Sequence, residues 1–202
     1  GIGLSALVSA LMLTVFQSQL VYFLMHGRLW LMIATFAELA LVFVASSMAA
    51  KNSPAALPVF LVYSVLNGFT LSFVVAFYTP GTVLSAFVSS ALLFFVMAAI
   101  GIFTKKDLSG MGRALMAALV GLIIAMVVNL FLANSFFDYM ISIAMVLVFS
   151  GLIAWDNQKI RYVYEQSRGQ VATGWVISMA LSIYLDFINL FLSILRIFGR
   201  ND

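Results

Sequence analysis

The chain has 202 residues, 64% of them hydrophobic and only 8% charged, with a formal net charge of +3. Soluble domains carry ~25% charged residues, and no soluble fold of this length hides so much apolar surface, so the composition describes an integral membrane protein. Cysteine is absent, which leaves out disulfide, iron–sulfur and thiolate-metal chemistry; lysines and arginines scattered among loops leave out nucleic acid as a partner.

Apolar runs bounded by charges, Pro or Gly give seven candidate spans, roughly 2–25, 29–50, 56–78, 82–103, 114–133, 138–155 and 175–198. Most approach the ~20 residues of a spanning helix, and the long runs lack the alternation of a membrane barrel. The expected fold is all-α, a single transmembrane domain over residues 1–202 with seven helices. The chain opens on Gly1, so a start Met and a short tail are expected to precede it. The first run is too long for a signal-peptide core. With seven spans, Lys51, Lys105, Lys106, Arg113, Lys159, Arg161 and Arg168 share one side, and Arg28, Arg196 and Arg200 the other. The excess of basic residues on the cytoplasmic side then predicts a cytoplasmic N-terminus and an outside C-terminus.

Taken in order, the second span carries Glu38 at its middle, ten residues from Arg28 and thirteen from Lys51. A neighbouring Ser or Asn would satisfy this glutamate if it only packs; lining an ion path is the functional alternative. The third span has a stripe of Ser64, Asn67, Gly68 and Ser72, the fourth Ser85 and Ser89, and the fifth a mid-membrane Asn129. Small residues at this spacing mostly serve close helix packing, whereas an amide in lipid calls for a partner. The hydrophilic loop Thr104-Lys-Lys-Asp-Leu-Ser-Gly-Met-Gly-Arg113 reads as a cytoplasmic turn. Phe136, Phe137, Tyr139, Trp30, Trp155 and Trp175 lie near span ends, as interfacial anchors do.

Asp156 closes the sixth span. In the seventh, Ser178, Ser182, Asp186, Asn189 and Ser193 recur at intervals of three and four and so share one face. Asp186 lies eleven residues beyond Trp175, ~16 Å into the helix, and a carboxylate at such depth costs ~3 kcal/mol or more. Ionisable residues placed there mark ion or proton paths. Two carboxylates at one site cannot both ionise cheaply, so a pair formed by Asp156 and Asp186 would share a proton, titrate as a unit and act as a pH sensor without histidine. The one histidine, His26, falls in a loop.

Ala154-Trp-Asp-Asn-Gln-Lys-Ile160 followed by Ala180-Leu-Ser-Ile-Tyr-Leu-Asp-Phe-Ile-Asn-Leu-Phe-Leu-Ser-Ile-Leu-Arg-Ile197 resembles the signature of the transmembrane Bax inhibitor motif family, and the Lys105-Lys-Asp-Leu108 loop is similar as well. The resemblance covers essentially the whole chain. It implies a bacterial plasma-membrane protein of seven helices, the last surrounded by the other six. It also implies a pH-sensitive calcium leak controlled by a di-aspartyl sensor, here Asp156 and Asp186, with Glu38 matching an acidic residue near the pore. Bacterial members can carry an arginine late in the second span that latches one aspartate. Eleven residues beyond Glu38 this chain has Ala49, with Lys51 as the nearest base; lysine is a flexible point charge, not a bidentate fork, so a latch built on it would be looser.

Ion-path residues on this reading are Glu38, Asp186 and Asn189, and Ser182 or Lys51 could partner the pair. Oxygen donors alone favour a hard cation, so calcium is the expected cargo, with Asp156 and Asp186 as its ligands and no cofactor. Lipid, calcium and protons are then the partners. An intramembrane aspartyl protease, the enzymatic rival, would need Gly-x-Gly-Asp where this chain has Tyr184-Leu-Asp186. A retinal protein would need a lysine inside the last helix, and a metal hydrolase several histidines. A proton-coupled transporter of another small solute, or a membrane scaffold, are the alternatives that use the same acidic residues.

Overall fold

A computed structural model describes residues 1–201, with the side chains of 26, 28–32 and 201 outside the description; expectations for the side chains of His26, Arg28 and Trp30 therefore fall outside the described residues. Among the described residues eight α-helices run in order: α1 Ile2–Thr14, α2 Gln17–His26, α3 Arg28–Ala50, α4 Ala56–Val75, α5 Pro80–Phe103, α6 Ser109–Leu132, α7 Ser135–Gln166 and α8 Thr173–Phe198, closed by a 3-10 turn, Gly199–Asn201. No strand occurs among the described residues. Among the described residues six helices are long and apolar enough to cross a membrane, and counting the bent pair α1 and α2 as one span gives seven crossings.

That pair corrects the stretch 2–25, expected as one run: the two helices meet at 86°. Thr14 turns its hydroxyl back onto the Ala10 carbonyl (2.7 Å), a bond that bends helices, and Gln17, Ser18 and Gln19 then open α2 with polar side chains. A second correction concerns the run expected to end at 155. Its helix continues to Gln166, because Asn157, Gln158 and Arg161 find partners on the protein and do not need a chain end to reach water.

Contacts group the chain into two compact units, Gly1–Tyr78 with Val171–Tyr184, and Thr79–Gln170 with Leu185–Asp202. In the first, α4 packs against α1 and α3. Its predicted stripe is buried: Ser64, Asn67, Gly68 and Ser72 all face inward. A Cβ added at Gly68 would stand 2.5 Å from the Ser5 carbonyl oxygen, so α1 lies against α4 with only hydrogen between them. The start of α8 is held the same way. Asn52, in the left-handed region (φ 52°), accepts from the Gly174 amide at 2.7 Å, and a Cβ at Gly174 would meet the Ala49 oxygen at 2.2 Å.

In the second unit α7 packs against both α5 and α6. Thr79 caps α5 by accepting from Thr82 N (3.2 Å), with Pro80 at the first helical position, where its missing N–H costs nothing. Asn129 is not a mid-membrane amide with a function to seek. It sits in the last turn of α6, donates to the Asn134 carbonyl and accepts from the Asn134 amide, both at 3.2 Å, and so fixes the α6–α7 turn around the left-handed Ala133 (φ 49°). On α5, Ser90 is the buried serine, while Ser85 is exposed and Ser89 half-buried. Of the six candidate spans α8 is the most buried, 61% against 6–44% in the others.

Gly68→Ala is expected to lower stability by ~1–3 kcal/mol, the usual range for overpacking, in a detergent thermal melt. Gly3→Ala, where an added Cβ meets nothing within 4 Å, should leave the melt unchanged. Equal behaviour of the two would show that α1 and α4 can separate at no cost.

Candidate functional site

Both aspartates lie in the second unit, and both are buried, Asp156 at 5% exposure and Asp186 at 6%. Asp156 lies within α7, not at its end. On α7 it extends the buried line Ile141, Met145, Val148, Leu152, whose spacing of three and four keeps one face. Asp186 lies on α8, within range of the Asp156 charge, and its Oδ2 is buried with no hydrogen-bond partner. Rings from α5 close around the same stretch of α8, with Phe87 and Phe94 edge-on to Phe187 at 5.9 and 5.7 Å.

The mount of Asp156 is tight on two sides. A Cβ at Gly101 would stand 2.1 Å from the Ala154 oxygen, and one at Gly112 would stand 2.1 Å from the Trp155 ring. Trp155 thus packs against α6, with the Lys159 ammonium 5.5 Å over its ring. Beyond Asp156, Gln158 clips the α5–α6 loop: its Oε1 accepts from Leu108 N and its Nε2 donates to the Lys106 carbonyl, each at 2.8 Å. Arg161 donates to the Ile102 carbonyl at the end of α5 and lies 3.7 Å from Glu165. In the loop, the Ser109 amide donates to Asp107 Oδ1 (2.8 Å) and, with the Ser109 side chain, holds the Asp107 carboxyl below the usual carboxylate range.

The other predicted residues divide. Asn189 donates to the Leu185 carbonyl (2.8 Å) of its own helix. Ser182 is half-buried on α8, and Lys51 is exposed at the end of α3. Glu38, in the first unit, is half-buried and accepts from the Thr70 hydroxyl and from Asn67 Nδ2 at 3.4 Å, the amide partner that its packing alternative called for. Behind Asn67 runs a chain of polar contacts that sequence reasoning missed. Tyr184 Oη lies 2.7 Å from Asn67 Oδ1 and 2.7 Å from Ser5 Oγ, which lies 2.7 Å from the Ser64 carbonyl oxygen. Among the described residues no three His, Cys, Asp or Glu side chains converge as a metal cluster.

Comparison with known proteins decides the family. The family model described as inhibitor of apoptosis-promoting Bax1 matches residues 1–202. The chain belongs to the Bax inhibitor-1 family. It is 56% identical over 202 residues to an uncharacterized membrane protein of Streptococcus pyogenes serotype M1, covering all of this chain and 88% of that one. It is 47% identical to the uncharacterized protein YrjE of Lactococcus lactis, covering 98% of this chain and 85% of that one. Inner membrane protein YbhL of Escherichia coli K12 is 40% identical over 181 residues, 88% of this chain and 77% of that one. Membership of the Bax inhibitor-1 family agrees with the motif resemblance around Asp156 and Asp186, and with the reading of the chain as a membrane protein.

The Gln158 clip is testable by amide exchange. In Gln158→Leu the Leu108 amide loses its acceptor, and its exchange is expected to rise roughly five-fold, the worth of one net hydrogen bond; unchanged exchange would mean that the loop holds itself.

Asp107 gives a pH dependence of known sign. A carboxyl with a lowered folded pKa stabilises above its unfolded pKa, and that contribution is lost as pH falls through the folded value. The Ser109 amide should therefore keep its protection until the pH drops below the ordinary aspartate range. Loss of protection already within that range would remove Asp107 as the holder of the α6 start.

Proposed function

We propose that this Bax inhibitor-1 family protein is a pH-sensitive calcium leak, gated by a proton shared between Asp156 and Asp186. The observation that carries this reading is the carboxyl pair itself: two aspartates buried in one unit, one acting on the other electrostatically, with an Asp186 oxygen that no hydrogen bond satisfies. A proton held between the two carboxyls would satisfy that oxygen, as would a hard cation, and both are species the function requires.

At low pH the shared proton joins the pair and favours the closed arrangement. Deprotonation leaves two like charges that repel in a poorly hydrated site and favour separation, unless a cation compensates. If the two arrangements differ a hundred-fold in proton affinity, the equilibrium between them moves by ~2.7 kcal/mol, enough to turn a closed path into an open one. Calcium is the cargo, and Asp186, Asn189 and Glu38 are the oxygen-bearing residues along its route. Lys51, exposed at the end of α3, and Ser182 on α8 are the candidate partners for the opened pair, in place of a bidentate arginine.

On this reading α1 and α2 form one broken crossing, hence seven spans with α8 central, in the bacterial plasma membrane. The side given to most basic residues does not depend on that choice. Lys51, Lys105, Lys106, Arg113, Lys159, Arg161 and Arg168 stay together for either count, with Arg196 and Arg200 opposite. Only the side of the N-terminus changes.

Calcium flux in proteoliposomes over a range of pH tests the sensor. Wild type should show a pH-dependent flux, Asp156→Asn and Asp186→Asn should each flatten it, and the double variant should add little, because the pair titrates as a unit. Single variants that keep the wild-type profile would remove the sensor. A wild type with no calcium flux at any pH would transfer the acidic residues to proton-coupled transport of another solute or to a scaffold.

A further inference from the structure

The polar chain in the first unit holds fewer hydrogens than it has contacts. Asn67 Oδ1 and the Ser64 carbonyl oxygen end it as acceptors, and between them stand two hydroxyls, those of Tyr184 and Ser5. All three contacts are 2.7 Å, a separation that calls for a hydrogen in each, yet two hydroxyls bring only two. The Ser64 hydroxyl does not make up the difference. It donates to the Phe60 carbonyl at 2.9 Å, and turned toward Tyr184 it would form a fourth contact without filling any of the three.

Turning the Asn67 amide end for end removes the shortage. Nδ2 then donates to Tyr184, Tyr184 to Ser5 and Ser5 to the Ser64 carbonyl. The turn brings Oδ1 in place of Nδ2 against Glu38 Oε2, 3.4 Å away, and two acceptors then face each other. One change resolves that conflict: Glu38 takes up a proton and donates it to Oδ1. The Thr70 hydroxyl bonds the other Glu38 oxygen in either state. Amide orientation is set by such networks, so the orientation of Asn67 and the protonation of Glu38 are one variable.

We propose that Glu38 is a second proton-binding site of this protein, with Asn67 as the amide that turns on protonation and Tyr184 and Ser5 as the hydroxyls that respond. With Glu38 ionised the chain is one hydrogen short; with Glu38 protonated every contact is filled. The ligand is the proton, and the state of the site appears on α8 as the direction in which Tyr184 donates. The titratable groups that face Glu38 are the phenols of Tyr63 on α4 and Tyr184 on α8; α1 has no titratable side chain, and α2 carries Tyr22 and His26. The site rests on residues of the first unit alone and does not require the aspartate pair to gate.

The test uses the full chain in lipid discs, with carboxyl-13C glutamate and side-chain-15N asparagine, followed by NMR across pH. The chain has two glutamates, Glu38 and the exposed Glu165, so each reports separately. Glu38 and the Asn67 amide are expected to move on one titration curve. Ser5→Ala removes two contacts and one hydrogen, leaving one contact and one hydroxyl so that the shortage disappears without touching Glu38; it should weaken proton binding at Glu38 about five-fold, the worth of one net hydrogen bond, while Glu165 is unmoved. Tyr184→Phe breaks the same chain at its middle and should act in the same direction, so either variant serves if the other does not fold. The coupling should persist when Asp156→Asn and Asp186→Asn are both present; its loss there would make it a readout of the pair and overturn the proposal. A Glu38 signal that does not titrate would overturn it too, as would an Asn67 amide that stays still while Glu38 titrates, or a Glu38 curve untouched by the variants.

Discussion

Lipid offers no hydrogen bonds. Each polar group carried into the hydrocarbon must find its partner on the protein, at a penalty of roughly several kcal/mol if it fails, and the arrangement of these helices follows from that constraint. The α4 stripe of Ser64, Asn67, Gly68 and Ser72 is buried because its hydroxyls and amide have no other outlet, and α1 is drawn against it through Ser5 and the Gly68 contact. Helix α8, whose Ser178, Ser182, Asp186, Asn189 and Ser193 recur along one face, is also the most buried of the candidate spans. By contrast the outward faces of α5 and α6 show Phe95, Phe103, Leu130 and Phe131, side chains for which lipid is the better solvent.

Polar pairing needs close helices, and closeness comes from missing side chains. Gly101 and Gly112 admit the Ala154 carbonyl and the Trp155 ring to within distances that a Cβ would occupy. Small residues take this role in membranes because apolar surface gains nothing there by meeting apolar surface. The consequence for Asp156 is a rigid seat: α5 and α6 grip the two residues before it, and Gln158 ties the residue two beyond it to the α5–α6 loop. A carboxyl on such a seat cannot swing away to water when its charge changes. In the proposed gate, the repulsion of a second charge would then act on α8, which carries Asp186.

The crossing helices are legible in the sequence because apolar length is a direct measure of the membrane. Six appear with ends within a few residues of the expected ones, the continuation of α7 past 155 aside, and the α4 stripe appears on the face that its spacing predicts. The break between α1 and α2 was also written there, in Gln17-Ser18-Gln19, but mean apolarity over a window averages such a cluster away. The length of α7 was hidden for the opposite reason. Asp156, Asn157, Gln158, Lys159 and Arg161 look like a departure from the membrane when the partners of Gln158 and Arg161, the Lys106 and Ile102 carbonyls and the Leu108 amide, lie about fifty residues away. Spacing did carry the clue for Asp156, since it continues the 141–145–148–152 line. No local signal marks Tyr184 as the partner of Asn67 and Ser5, because the contact joins residues 117 and 179 positions apart.

The two kinds of buried acid in this chain differ in a way that separates their roles. Glu38 has a side-chain donor on each oxygen, Thr70 on one and Asn67 on the other. A carboxyl so supported can change its proton with a turn of one amide and little motion of the backbone, because its partners rearrange around it. Asp186 has an oxygen that nothing satisfies, beside a second carboxyl. A site of that kind has no local way to absorb a change in charge; it must bind something or come apart. Hydrogen bonding that is complete in one protonation state suits a reporter, and hydrogen bonding that is incomplete suits a gate. On this physical ground the proposed gate belongs to the aspartate pair more than to the glutamate.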